Sequence, residues 1–322
     1  MEAVKVANKG FATRDSVAIR SDRWSYSYNQ LISSASSISS LLSSRHLNTT
    51  FEASKHESHS LAIDGGRGQG HLGGARIGIM AKPSAKFVAG ILRTWLSGGV
   101  AVPLALSYPE AELLHVMNDS DVSMILSTKD NQELMENVAA KCASQVSLIP
   151  PVPSSSSEKS ADGNLQAVEI DADRIFHRNK KQSSEDPALI IYTSVTIGKP
   201  KEVVHMHKSI SAQVQTLAEA WEYTYAYQFL NCLSLHHVHG LFNVVLAPLY
   251  AGSTVEFMPK FSVRGIWQRW RESYPINGTK AADGITVFTG VSLLCISCLL
   301  VDFLGPGLVE VLQFHLLSAQ LS

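Results

Sequence analysis

Between Tyr192 and Glu202 the chain reads Tyr-Thr-Ser-Val-Thr-Ile-Gly-Lys-Pro-Lys-Glu. Three hydroxyls (Thr193, Ser194, Thr196), one glycine (Gly198) and two lysines (Lys199, Lys201) are gathered in this one stretch. Hydroxyl and backbone N–H groups donate to phosphate oxygens, and lysine ammonium groups offset phosphate charge. The same residues also suit a hydroxyl-rich surface turn. What favours a phosphate cradle is position: an apolar strand over Ala188–Tyr192 precedes the stretch, and a strand at Val203–His205 and then a helix follow it.

Three other motifs carry less. His236-His237-Val238-His239-Gly240 invites a metal reading, but adjacent histidines diverge by about 180° on a strand or about 100° on a helix, so at most two face one ion. With no acidic residue close by in the sequence, these histidines read as structural or substrate-facing, and no metal site is assigned. Gly68-Gln-Gly70-His-Leu-Gly73 matches a dinucleotide fingerprint literally, yet it precedes a strand instead of following one, so it reads as loop. Cys295-Ile-Ser-Cys298 lies in an apolar run with no second ligand pair, and reads as two buried small hydrophobes.

The elements that must position the loop are legible from periodicity. Val17-Ala18-Ile19 and the alternating Trp24-Ser25-Tyr26 read as strands, and Leu31, Ala35, Ile38 and Leu42 mark one face of a helix. Residues 46–74 are rich in His, Ser and Gly and read as a flexible insertion. Then come a buried strand at 75–80, a helix carrying Phe87, Ile91 and Trp95 that stops at Gly98-Gly99, and a strand at Val100–Pro103. Strand, helix and strand in so short a span make a βαβ unit, which requires a partly parallel sheet. A second unit follows, with a helix around Glu110–Met117 and a strand at 123–126. Residues 150–162, rich in proline and serine, read as a surface linker. Ser209 is placed to cap a helix whose apolar face is Ile210, Val214, Leu217 and Trp221. The fold class is therefore α/β. The domain reading is a first subdomain over 1–162, a second over 163–291 carrying the loop, and a divergent apolar tail over 292–322.

Composition narrows the function. The 322 residues are 45% apolar and 17% charged, enough for a sizeable core. Lysine and arginine total 27 against 28 acids, so there is no basic footprint for nucleic acid. Four scattered cysteines suit a reducing compartment. The first twenty residues lack an apolar signal region, which points to the cytoplasm, or to a mitochondrion or plastid if an upstream extension exists.

The Thr193–Lys201 stretch resembles the signature loop of the acyl-adenylate-forming, or AMP-binding, superfamily, Y-T-S-G-T-T-G-x-P-K-G. Arg76-Ile77-Gly78-Ile79, Gly98-Gly99, Val102-Pro103 and Tyr108-Pro109 resemble its earlier motifs in order, and Leu235–Phe242 its next one. Trp221-Glu222-Tyr223, Pro259-Lys260-Phe261 and Val287–Val291 are most similar to plant-type malonyl-CoA synthetases. The resemblance implies the N-terminal lobes of the adenylate-forming fold and a two-step ligase reaction. A small carboxylic acid, malonate-like, is first joined to AMP from ATP, and its acyl group then passes to coenzyme A. It implies ATP, Mg2+ and CoA as cofactors, and Thr193, Ser194, Thr196, Gly198, Lys199 and Lys201 as the phosphate loop. His237 would line the junction of acid and adenylate pockets.

The chain also departs from that pattern. Val195 stands where the family has a glycine, Ile197 where it has threonine, and Glu202 where it has glycine. A carboxylate roughly 6 Å from a phosphate at an effective dielectric near 20 costs about 3 kcal/mol before lysines screen it. After Val291 the resemblance stops, and the family's catalytic lysine finds no counterpart. The expectation is a truncated, impaired acyl-CoA synthetase; the alternative is an inactive fragment that works as a binding module. Ile285–Val301 is uncharged, but its first residues belong to a core strand, which leaves too little for a membrane span of about 20 residues. An exposed apolar tail favours self-association instead.

Overall fold

The computed structural model describes residues 15–21, 23–43, 72–153, 183–193, 198–275 and 280–290. The chain runs β1 (Val17–Ser21), β2 (Trp24–Ser27), α1 (Tyr28–Ser43), β3 (Arg76–Met80), α2 (Ala85–Leu96), β4 (Val100–Pro103), α3 (Glu110–Asp119) and β5 (Val122–Ser127). It continues with α4 (Gln132–Lys141), β6 (Gln145–Leu148), β7 (Pro187–Tyr192), β8 (Glu202–Met206), α5 (His207–Ala220) and β9 (Gln228–Asn231). A π-helix (His239–Leu246), α6 (Ala247–Tyr250), β10 (Thr254–Phe257), α7 (Val263–Ser273) and β11 (Val287–Phe288) complete it.

Two sheets result. One has six strands in the order β6-β5-β3-β4-β7-β8, parallel except for the β7–β8 hairpin. The other has five, β11-β9-β10-β1-β2, parallel except for β1–β2. The expected α/β class and parallel sheet are thus present. Both sheets draw strands from either side of residue 162, each segment giving one contiguous block of strands to each sheet.

Strand alternation explains the layers. Successive side chains on a strand face opposite ways, so Ile77, Ile79, Leu189 and Ile191 join Ile19, Phe229 and Val255 of the other sheet in one core. Helices α1, α2 and the π-helix fill that space, with Leu31, Phe87, Ile91, Trp95 and Phe242 buried in it. The opposite residues Met80, Ile190 and Tyr192 face outward, where α3 and α4 cover them with Leu113, Val116, Met117, Met135 and Val138. On the far side of the five-stranded sheet, Leu230 and Phe288 meet Ile266 and Trp270 of α7. Central strands buried on both faces are continuous apolar runs, as Arg76–Met80 and Pro187–Tyr192 are after their first residue.

Polar ties fix the layers to one another. Trp95 Nε1 donates to the Ala188 carbonyl at 2.7 Å, joining α2 to β7. Tyr28 Oη lies 2.8 Å from the Ser253 carbonyl and 3.2 Å from that of Leu249, joining α1 to the α6–β10 turn. One expectation is corrected in part: α5 begins at His207, so Ser209 is not the N-cap residue but lies in the first turn, where it makes the reach-back bond of a capping box. The Ser209 hydroxyl accepts from the Met206 N–H at 3.1 Å and donates to the Met206 carbonyl at 2.9 Å. Among the described residues no helix is long and apolar enough to cross a membrane. The Gly68–Gly70 part of the glycine motif, the Cys295–Cys298 pair and the apolar tail lie outside the described residues.

Candidate functional site

Strands β3, β4 and β7 are mutually parallel, so their carboxyl ends share one edge of the six-stranded sheet. The 193–201 loop leaves that edge from β7 and returns as β8. Along the same edge, segments following β3 and β4 meet segments following β9 and β10 of the other sheet around a cleft of about 270 Å³. Leu104, Ser107, Leu235, His236 and Lys260 are among its walls. A crevice outside the carboxyl ends of parallel strands is where open α/β sheets hold ligands.

The loop itself is a short hairpin tip. The Thr193 N–H donates to the Lys201 carbonyl at 2.9 Å, and the Lys201 N–H donates to Thr193 Oγ1 at 3.2 Å. The Thr193 hydroxyl therefore closes the base of the loop. Gly198 has φ +97°, a region that side chains with a Cβ avoid, and none of the described residues would lie within 4 Å of an added Cβ. The glycine is needed for torsion, not for room. Gly198, Lys199 and Lys201 are exposed and available to a solution anion, while Ser194 and Thr196 lie outside the described residues. Glu202, which opens β8, is also exposed. Water then screens its charge, and its cost against a phosphate falls from the expected figure to about 1 kcal/mol or less.

The histidine segment is built differently. His236 and His237 follow β9 and lead into the π-helix, a rare geometry that recurs at functional sites. Its entry depends on Gly240, where an added Cβ would lie 2.3 Å from the Ser234 carbonyl. His236 is the histidine on the cleft wall; its ring centroid is 5.6 Å from that of Tyr108 and 4.1 Å from that of His237. Burial holds His236 near a pKa of about 4, with His237 adding to the effect, and burial lowers His237 as well. Both rings are therefore neutral at pH 7, and they present hydrogen-bonding groups without a standing charge. The cation on the cleft wall is Lys260.

His239 faces elsewhere. Asn243 Nδ2 donates to its Nδ1 at 3.1 Å, which assigns the proton to Nε2, and Nε2 donates to Thr289 Oγ1 at 3.2 Å. That link ties the π-helix to the segment leaving β11. Among the described residues no three His, Cys, Asp or Glu side chains converge as metal ligands.

The structure thus brings the ends of the expected loop to the same sheet edge as the histidine segment. The sequence reading missed His236 as the lining residue, and also Tyr108, Lys260 and Thr289. Their common signal was available: each falls one to five residues after a strand's carboxyl end.

Comparisons with known proteins agree with this geometry. The sequence profile of the family described as AMP-binding enzyme matches residues 65–300. The chain is 68% identical over 292 residues to the probable CoA ligase CCL8 of Humulus lupulus, covering 90% of this chain and 48% of that protein. It is 58% identical over 293 residues to a malonate--CoA ligase of Arabidopsis thaliana, covering 90% and 45% respectively. The chain therefore spans about half the length of the curated relatives it matches. In fold it is similar to ATP-bound MatB from Rhodopseudomonas palustris, with a TM-score of 0.67 at 20% identity, over 93% of this chain and 51% of that one. An α/β edge cleft beside a hydroxyl-and-lysine loop, the matched profile and these relatives lead to one conclusion: the chain belongs to the AMP-binding enzyme family.

Proposed function

We propose that this chain carries the phosphate loop and acid cleft of an acyl-CoA synthetase acting on a small, malonate-like dicarboxylic acid. In this reaction a carboxylate oxygen attacks the α-phosphorus of ATP, and the bond to pyrophosphate breaks. The thiolate of coenzyme A then attacks the acyl carbon, and AMP leaves. The observation that supports this reading most is the shared edge: the 193–201 loop and the His236–Lys260 cleft both lie at strand carboxyl ends.

Each residue then has a physical task. Lys199, Lys201, Gly198 and the hydroxyls of Ser194 and Thr196 hold the terminal phosphates, and Thr193 keeps the loop closed. His236 and Lys260 face the acid, with His237 packed against His236. An acid with a second carboxylate can pair with the Lys260 cation, which is exposed, so water screens the pair and holds its worth to about 1 kcal/mol or less. Mg2+ offsets phosphate charge when bound, and it is usually held by one or two protein groups plus the phosphates themselves. A loop rich in hydroxyls fits that role. Positioning and electrostatics carry such a reaction, so small loop displacements matter.

The loop departures set its strength. Val195 in place of glycine restricts the backbone, Ile197 removes a hydroxyl, and Glu202 adds a negative charge beside the lysines. We read the loop as a weakened ATP site.

Malonate-dependent exchange of pyrophosphate into ATP tests the proposal. Slow exchange is expected from the chain as it stands, and faster exchange from Val195→Gly, Ile197→Thr and Glu202→Gly combined. No exchange and no ATP binding by either protein would overturn it.

A further inference from the structure

We propose that α3 is the strut that sets the phosphate loop against the acid cleft, with His115 as its positioning residue. The functional sense of this proposal rests on the reading above; its geometry does not. Helix α3 covers the outer face of the six-stranded sheet and begins two residues after Tyr108, whose ring packs on His236 in the cleft wall. Its second half holds both limbs of the loop.

The outgoing limb is fixed through Tyr192, the last residue of β7. The Tyr192 hydroxyl donates to Asp119 Oδ2 at 2.9 Å. Having spent its one proton there, it accepts from Ser120 Oγ, 2.7 Å away. The returning limb is fixed by His115. Its Nε2 donates to the Pro200 carbonyl at 3.0 Å, and its ring meets Tyr192 edge-on with centroids 6.1 Å apart. A proline carbonyl can only accept, so the donor must be the histidine.

The bonds between Thr193 and Lys201 are different in kind. They connect one limb to the other and tie neither to the rest of the molecule, so the hairpin end they close frays open unless a tertiary contact holds it. The Pro200 carbonyl lies outside the β7–β8 ladder, whose first pair is Tyr192 with Glu202. His115 therefore supplies a tertiary anchor on the return side, and its helix is the same element whose entrance bears on the cleft. Loop-to-cleft spacing follows from the length and seating of α3.

Two variants of the full chain separate anchoring from general stability. His115→Gln keeps an N–H donor at similar reach, and His115→Leu keeps bulk without a donor. Amide hydrogen exchange at Thr193 and Lys201 reads the anchor with no nucleotide present. It should accelerate about tenfold in the leucine variant and return towards wild type in the glutamine variant, with exchange in β3 and β5 unchanged. Equal rates in all three proteins would overturn the strut. The ATP dissociation constant gives the second measurement: it should rise about tenfold for leucine and stay within about twofold for glutamine, with the two unfolding midpoints alike. Affinities that fall together, or only in step with lost stability, would also overturn it. A wild-type chain that binds no ATP, yet shows the His115-dependent exchange, would defeat the ligase reading and leave the strut standing.

Discussion

The loop at 193–201 and the segment at 232–246 face the same sheet edge but are held by opposite means. In the loop, Thr193, Gly198, Lys199 and Lys201 are exposed, the two limbs are tied to each other, and α3 braces them from outside. The histidine segment is packed into the molecule. Gly240 lies hard against Ser234, and Leu241, Phe242 and Val244 are buried in the central core. One region is specified by torsion and surface hydrogen bonds, the other by close packing. The difference teaches where each will break: the loop loses ligand before it loses fold, and the histidine segment loses fold first.

The largest effect should come from Gly240→Ala. A Cβ 2.3 Å from a carbonyl oxygen forces the backbone apart, so denaturant unfolding should show a loss of about 3 kcal/mol, at the upper end of overpacking costs. A loss below half a kilocalorie would mean the segment is looser than its packing implies. Gly198→Ala is the matched change in the loop. No described residue crowds the new methyl and the φ of +97° is strained, so stability should fall by about 1–2 kcal/mol while ATP affinity falls several-fold. If both glycines cost equal stability, the contrast between the two regions fails.

Tyr192→Phe should match the loop glycine in size. It removes the bonds to Asp119 and Ser120 and leaves the buried Ser120 hydroxyl without its Tyr192 partner, so a loss of about 1–2 kcal/mol is expected from urea titration. Glu202→Gly should tighten ATP by only a few-fold, because an exposed charge is worth about 1 kcal/mol or less. Isothermal titration decides it, and an unchanged affinity would remove Glu202 from the account.

The response to pH is a separate check, read by its direction. His236 and His207 are both held near a pKa of about 4 in the fold, each mainly by burial. Their unfolded value is about 6.5. The unfolded chain therefore binds protons first as pH falls, and the stability present above pH 6.5 is lost down to about pH 4. Urea midpoints measured across that window should decline. His236→Gln should make the decline shallower without abolishing it, since His207 remains.

Much of the fold was legible from pattern. Apolar runs at 76–80 and 188–192 could only be buried strands, and Phe87, Ile91 and Trp95 at helical spacing could only face a core. The loop was legible because its side chains are chemically specific and local. Which histidine meets the cleft was not legible: the sequence reading named His237, and the cleft wall carries His236. Adjacent residues on one short segment differ in outlook only through their neighbours, and those neighbours, Tyr108 and Thr289, are 128 and 50 positions away from His236 and His239.

What the sequence determined by itself was therefore everything that depends on near neighbours: element types, the parallel crossover units, and a stretch of hydroxyls and lysines between two strands. Tertiary structure alone decided that both sheets take strands from either side of the 150–162 linker, that His236 reaches the cleft, and that α3 braces the loop. The physical reason is range. Periodicity and torsion act over a few residues, whereas sheet order, the packing of Tyr108 on His236 and the hold of His115 on Pro200 are settled only when distant surfaces are packed together.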